Sequence, residues 1–357
     1  MKRLVTIIRC GPALCIAGAL LGAGPAAAQP ARGAAATYTN PVWDADFPDP
    51  TVIRARDGYY YAYGTQGSPT GQPLNLQVAR SADLVHWTHL GDALPTKPAW
   101  AHTTYSFWAP HVSEVGGTYY LYFSAKPDAE TRAGDGLCLG VATATSPAGP
   151  FTATAEPLQC GPGFVNIDPM AFDDPATGKH WLYWGSGFGP LKVQELAPDR
   201  LHFAPGSAPQ ALVAPDPTDR PDNYRRLVEG SWVTLHDGWY YLFFSGDNCC
   251  GDRAHYAVLV ARSRAATGPF EVQPVPVVAR NAQWRAPGHN SVVTDAAGHD
   301  WLAYHALHAG PTPPGTPANT GRVLLLDRLA YAGGWPRVVP DGTPSTGPRP
   351  APAVPQP

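Results

Sequence analysis

Aromatic and apolar residues recur along this chain in short runs of strand length. Tyr59-Tyr60-Tyr61-Ala62-Tyr63, Tyr119-Tyr120-Leu121-Tyr122, Trp181-Leu182-Tyr183, Tyr240-Tyr241-Leu242-Phe243 and Trp301-Leu302-Ala303-Tyr304 are such runs. Aromatic and β-branched residues bounded by Gly and Asp favour strands over helices. A turn glycine stands ahead of each run: Gly58, Gly117, Gly178, Gly238 and Gly298, at spacings of 59, 61, 60 and 60 residues. Asp57-Gly58, Gly116-Gly117 and Asp237-Gly238 are hairpin signals, because such turns need positive φ. Ahead of each turn lies a further apolar segment. These are Asp49-Pro50-Thr51-Val52-Ile53, Trp108-Ala109-Pro110-His111-Val112, Asp168-Pro169-Met170-Ala171-Phe172, Glu229-Gly230-Ser231-Trp232-Val233 and His289-Asn290-Ser291-Val292-Val293. Each unit therefore begins strand–turn–strand.

Val78-Ala79-Arg80-Ser81, Val141-Ala142-Thr143-Ala144 and Val260-Ala261-Arg262-Ser263 predict a third strand, and a fourth is expected near Trp87 and Phe151. No long stretch carries a sustained helical period. A fixed period of this size marks a repeat architecture, and radially arranged four-stranded units are propeller blades. The expectation is an all-β, five-bladed β-propeller over residues 40–340. In a closed ring the leading residues Asp49, Trp108, Asp168, Glu229 and His289 would meet at one site. The paired tyrosines, Trp87, Trp239 and Trp335 read as packing residues.

The ends differ from this body. Lys2 and Arg3, the apolar stretch Ala13–Leu21 and Ala26-Ala27-Ala28 form a secretory signal pattern over residues 1–28. Residues 29–39 read as a flexible lead-in, and 341–357 as a Pro-rich disordered tail. Cleavage after Ala28 removes three positive charges, leaving 22 Lys and Arg against 28 Asp and Glu, a net of −6. That excludes the basic footprint of a nucleic-acid binder. No later segment is apolar enough to span a bilayer, so the mature chain is expected to be secreted or periplasmic.

An oxidising compartment permits disulfides. Cys138 and Cys160 flank one predicted outer hairpin and are expected to pair. For Cys249-Cys250 three states stand: a bond between neighbours, two free thiols, or pairing elsewhere. The spacings fit no zinc site.

A propeller has no packing reason to gather Asp, Asp and Glu beside its axis, since clustered like charges are costly unless used. Two carboxyl groups suffice for glycoside hydrolysis, one protonated and one ionised. Asp49 and Glu229 start non-adjacent blades, which leaves room for a water between base and sugar, the geometry of inversion. Asp168, beside Glu229, is placed to raise and orient the acid. The ring alone does not fix which carboxylate does what.

Phe47-Pro48-Asp49-Pro50-Thr51-Val52-Ile53, Trp108-Ala109-Pro110, Ile167-Asp168-Pro169, Glu229-Gly230-Ser231 and Gly288-His289-Asn290-Ser291 resemble, in order, the blade motifs of glycoside hydrolase family 43. The resemblance implies an inverting five-bladed propeller with Asp49 as general base, Glu229 as general acid and Asp168 as pKa modulator. It implies no organic cofactor. His289 then lies in the central channel, either beside a hydrated calcium or as a hydrogen-bonded histidine without metal. Arg322 resembles a family arginine that reaches substrate, or pairs with an acid. Trp108 and Phe107 are candidates for stacking on a sugar, with core packing as the rival, and Asn166 is a further candidate substrate contact. The leading expectation is cleavage of α-L-arabinofuranosyl linkages in a plant-type polysaccharide. The rivals are a β-xylosidase or galactan-directed exo-enzyme, and a non-catalytic carbohydrate-binding propeller. The tail is too short for the second sandwich domain of many xylosidases of that family. The Asn-Asp-Pro-Asn, Arg-Asp-Pro and Glu-Cys motifs of retaining, invertase-type propellers are absent.

Overall fold

The computed structural model describes residues 36–69, 71–129, 136–310 and 321–354. The signal-peptide expectation for residues 1–28 lies outside them, as does most of the lead-in. Five antiparallel meanders follow one another along the chain. Blade one comprises Thr51–Arg54, Tyr60–Gly64, Gln77–Ser81 and Trp87–Asp92. Blade two comprises Phe107–Val115, Thr118–Ala125 and Cys138–Ala144, with Thr152–Ala153 and Gln159–Cys160 both paired to the third strand. Blade three holds Met170–Asp173, His180–Trp184, Lys192–Leu196 and Gln210–Ala211. Blade four holds Val228–His236, Trp239–Asn248, His255–Ser263 and Glu271–Val272. Blade five holds Trp284–Thr294, Asp300–His308, Val323–Ala332 and Trp335–Val338. These are the blades of a β-propeller. Among the described residues no helix is long and apolar enough to cross a membrane.

The aromatic runs form the second strands and fill the space between blades. Tyr63, Tyr122 and Tyr183 occupy the same place in blades one to three, and all three are fully buried. A buried phenol needs a partner for its hydroxyl. Each donates to a carbonyl of the next blade: Tyr63 to Pro147 at 2.5 Å, Tyr122 to Arg200 at 2.9 Å and Tyr183 to Ala266 at 2.7 Å. One residue type thus supplies both packing area and a directional tie between blades.

A second repeat lies nearer the axis. Asp49, Ala109, Asp168, Gly230 and His289 have φ of 57°, 48°, 59°, 64° and 48°, a left-handed kink at the head of every blade. Where the first strand starts before the kink, the ladder slips there, between Trp108 and His111, Glu229 and Trp232, and Gly288 and Ser291. This corrects the register of the repeat. Gly230 and Ala109, not Glu229 and Trp108, are equivalent to Asp49. The slip is a β-bulge, which re-aims a side chain. Glu229 and Trp108 thus sit one position ahead of the kink.

Residues 341–354 are not free of the body, contrary to the expectation from their composition. Ser345 accepts from Asn40 at 2.9 Å, and its N–H donates to buried Asp327 at 3.2 Å. Arg349–Pro350 pairs with Thr37–Tyr38, and the Ala353 N–H donates to Asp295 at 3.0 Å. Thr37–Tyr38 falls within the expected lead-in, yet Tyr38 is buried and donates to the Leu326 carbonyl at 2.5 Å. Composition registers few apolar residues here. It does not register that buried Asp327 and Asp295 each take a backbone N–H from this tail. Cys138 and Cys160 face each other across two strands and are bonded, as expected. Cys249 and Cys250 are bonded to each other.

Candidate active site

One open cavity of about 820 Å³ lies at the kinked ends of the first strands. Asp49, Trp108, Asp168, Glu229, His289 and Arg322 all line it, so the expected convergence holds although two of these residues sit one position out of register. Phe107 and Asn166 do not line it. Neighbouring strand residues face opposite sides, and Phe107 takes the core side, fully buried 5.9 Å from the Phe123 ring. Asn166 is buried and accepts from the Trp184 indole at 3.1 Å. It serves a tryptophan instead of the cavity.

The kink backbone is clasped by the preceding blade. Ala109 N–H donates to Thr65 at 2.8 Å, Asp168 N–H to Ser124 at 3.0 Å, His289 N–H to Ser245 at 2.8 Å and Asp49 N–H to His305 Nδ1 at 3.1 Å. Buried backbone donors must be paired, and these side chains do it at every blade but one. At blade four the Gly230 N–H goes to Asp168 Oδ2 at 2.9 Å. Gly185 holds the corresponding place, and Ser186, one residue further on, donates to Glu229 Oε2 at 2.8 Å. Tyr256 donates to Glu229 Oε1 at 2.8 Å. Both carboxyl oxygens of Glu229 are therefore held.

Asp49 is surrounded by cationic and donor groups. Its Oδ1 accepts from Arg322 at 2.9 Å and lies 3.3 Å from His289 Nδ1, while Thr65 donates to Oδ2 at 2.5 Å. Burial pushes this carboxyl up, but Arg322, His289 and His305 outweigh it and hold Asp49 well below the usual carboxylate range. Glu229 shows the opposite balance. Burial pushes it up to about 7, and the Asp49 charge adds to the rise, against hydrogen bonds from Tyr256 and Ser186. Asp168 is also raised strongly, first by burial and then by the charges of Glu229 and Asp49. The cavity thus holds an ionised carboxylate facing a coupled pair that retains a proton near neutrality. That is the electrostatic division that acid–base glycoside cleavage requires.

His289 Nδ1 lies between Asp49 and, at 3.8 Å, Asp168 Oδ2. Burial lowers its pKa despite Asp49. Calcium takes six to eight oxygen ligands. Among the described residues no three His, Cys, Asp or Glu side chains gather as a metal-binding group. The observed partners of His289 are the carboxylates of Asp49 and Asp168.

Thr65, Ser186, Tyr256 and His305 were missed in the sequence. Thr65, Ser124, Ser186, Ser245 and His305 recur at spacings of 59, 62, 59 and 60 residues, a signal that could have found four of the five clasps and Ser186. Tyr256 carries no such signal.

A five-bladed propeller that sets an ionised carboxylate and a proton-holding carboxyl around one open cavity defines a glycoside-cleaving enzyme. The chain belongs to the glycosyl hydrolases family 43, whose profile matches residues 38–336. It is 30% identical to the β-D-galactofuranosidase xynD of Aspergillus niger, over 82% of each chain. It is 27% identical to the extracellular endo-α-(1→5)-L-arabinanase 1 of Bacillus subtilis, over 81% of this chain and 86% of that one. Its fold matches the GH43 BlXynB protein of Bacillus licheniformis with a TM-score of 0.70 at 23% identity, over 90% of this chain. The chain spans 60% of the length of that protein.

Proposed function

We propose that this chain is a secreted, inverting glycosidase that cleaves α-L-arabinofuranosyl linkages. The observation that carries the mechanism is the opposite displacement of two carboxyls in one cavity, Asp49 downward and Glu229 up to about 7. Glu229 gives its proton to the glycosidic oxygen as the bond to the anomeric carbon breaks. Asp49 takes a proton from a water that attacks that carbon from the opposite face. The product has inverted configuration, and the two carboxyls exchange their protons with solvent before the next turnover. Asp168, itself raised by burial and by the Glu229 and Asp49 charges, shares the proton of the pair with Glu229 and fixes the Gly230 N–H at the acid's own backbone. Arg322 and His289 keep the base ionised.

The relatives over most of the chain's length include an arabinanase and a galactofuranosidase. The galactofuranosidase is named for a five-membered sugar ring and the arabinanase for a 1→5 linkage, which leaves O5 outside the ring; both support a furanoside. The galactofuranosidase relative favours β-D-galactofuranosides as the second reading. The arabinanase relative is extracellular by name, which supports export.

The test is a digest of linear and branched arabinan, xylo-oligosaccharides, galactan and a galactofuranoside by purified protein, with products separated by chromatography. Release of arabinose or arabino-oligosaccharides, seen by proton NMR first as the inverted anomer, is the expected outcome. A retained anomer overturns the roles of Asp49 and Glu229. Release from the galactofuranoside alone moves the specificity to the second reading.

A further inference from the structure

We infer that Phe188 and the Cys249–Cys250 disulfide form the two walls of a leaving-group subsite directly above the general acid. The inference rests on the hydrolase reading above and adds which part of the substrate these residues contact.

Phe188 carries the first observation. It is 68% exposed, on the rim of the cavity. Its φ is 62°, a conformation that bulky side chains rarely adopt and that clusters at functional sites. Its ring stands edge-on to Phe164 at 5.8 Å, and Phe164 also lines the cavity. The fold thus holds an apolar ring out in water at the mouth of a polar site, where core packing gives no reason for it.

The disulfide carries the second observation, independent of the first. Cys249 and Cys250 both line the same cavity. Their loop is pinned on both sides: Asn248 donates to the Cys250 carbonyl at 3.2 Å and to the Arg253 carbonyl at 2.9 Å, and Arg285 donates to the Gly251 carbonyl at 3.0 Å. Bonded neighbours have little freedom left to lose on binding, which favours a preorganised contact surface. Sulfur is soft and apolar, suited to the C–H face of a sugar.

The two walls belong to the acid. Phe188 lies two residues after Ser186, which donates to Glu229 Oε2. Cys249 packs against the cluster containing Tyr256, which donates to Glu229 Oε1. Each wall is therefore tied to one oxygen of the carboxyl that protonates the glycosidic oxygen. The sugar beyond that oxygen must lie over Glu229, between these walls. The sugar that receives the water lies deeper, among Asp49, Asp168 and His289.

The test uses full-length mature protein and three variants: Phe188→Ala, Phe188→Tyr, and Cys249→Ser with Cys250→Ser. Two quantities are measured: kcat/KM on linear α-1,5-linked arabinotriose, and the inhibition constant of free L-arabinose, which reports the deeper subsite. Loss of one stacking wall is expected to lower kcat/KM about 5- to 10-fold. The arabinose constant is expected to move less than about twofold. Phe188→Tyr should restore most of the loss, which a merely structural role for the ring would not require. Equal loss in both quantities means that the variants disturb the whole pocket, and overturns the subsite. Unaltered kcat/KM in the variants overturns it while leaving the hydrolase reading standing. If the wild-type protein releases no sugar from any glycan in the digest panel, the hydrolase reading fails, and this inference fails with it.

Discussion

Ser186 donates to Glu229 Oε2 at 2.8 Å, one residue past Gly185, which holds the place of the clasping side chains in blade three. Thr65, Ser124 and Ser245 each accept a backbone N–H from the next blade. Only at blade four does Asp168 take over that backbone donor, since Gly185 has no side chain to offer it. The serine after Gly185 holds the proposed acid, and the missing backbone contact is made by the third carboxylate.

Ser186→Ala should leave the fold intact, because the Gly230 N–H keeps its partner in Asp168. The hydroxyl favours the ionised form of Glu229. Its loss is expected to shift the alkaline limb of the kcat profile to higher pH and to lower kcat about 10-fold through a poorly oriented acid. Steady-state rates from pH 4 to 9 check this. An unmoved limb would show that Ser186 does not act on Glu229.

Asp49→Asn and Glu229→Gln should each lower kcat on arabinan by about 10²- to 10⁴-fold, the range for a general acid or base, with circular dichroism unchanged. An aryl glycoside separates the two roles. A 4-nitrophenolate leaves without a proton, so Glu229→Gln should lose less on that substrate than on arabinan, whereas Asp49→Asn should lose the same on both. The reverse pattern would exchange the assignments.

The pH profile of kcat/KM should be bell-shaped and lie on the acidic side of neutrality. Activity needs Glu229 protonated, so it falls as pH rises through about 7. It also needs Asp49 ionised, and Arg322, His289 and His305 hold that carboxyl well below its usual range, so the acidic limb lies low. Arg322→Gln removes the strongest of these opposing charges and should move the acidic limb upward; Arg322 also lowers Glu229, but ranks there behind burial, Tyr256, Ser186 and Asp49, so the alkaline limb should rise by less. Equal movement of both limbs would mean that Arg322 does not act chiefly on Asp49.

The fold was legible because its signals are local and repeat. The turn glycines Gly58, Gly117, Gly178, Gly238 and Gly298 all have positive φ, and each is followed by an aromatic strand. Asp49, Asp168 and His289 were legible as residues that meet at one cavity for the same reason. Glu229 was found, but in the wrong register, because a bulge inserts a residue that Glu229-Gly230-Ser231 does not advertise beside Asp49-Pro50-Thr51. Gly230 was the available clue, since glycine accepts the left-handed conformation most readily. Phe107 was misread because adjacent Phe and Trp on a strand must face opposite sides, and composition does not say which faces the cavity. Tyr256 was out of reach, since its contact with Glu229 joins the third strand of blade four to its first, across the strand between them.

Stability gives a separate check on the charge arrangement. Asp168 binds its proton more tightly in the folded protein than its usual value of 3.8, owing to burial and to Glu229 and Asp49. A group raised in this way contributes its full share of stability below the unfolded value and loses it as pH rises through the folded one. Asparagine does not ionise, and its side-chain carbonyl can still accept the Gly230 N–H. Asp168→Asn should therefore match the wild type in thermal midpoint at pH 4. At pH 8 it should exceed the wild type by roughly 2–4 °C for each kcal/mol of relieved repulsion, while its turnover falls. Calorimetry at the two pH values tests this. A wild type that is the more stable of the two at pH 8 would mean that Asp168 is ionised and stabilised by Gly230 and His289, and that the proton of the pair resides on Glu229 alone.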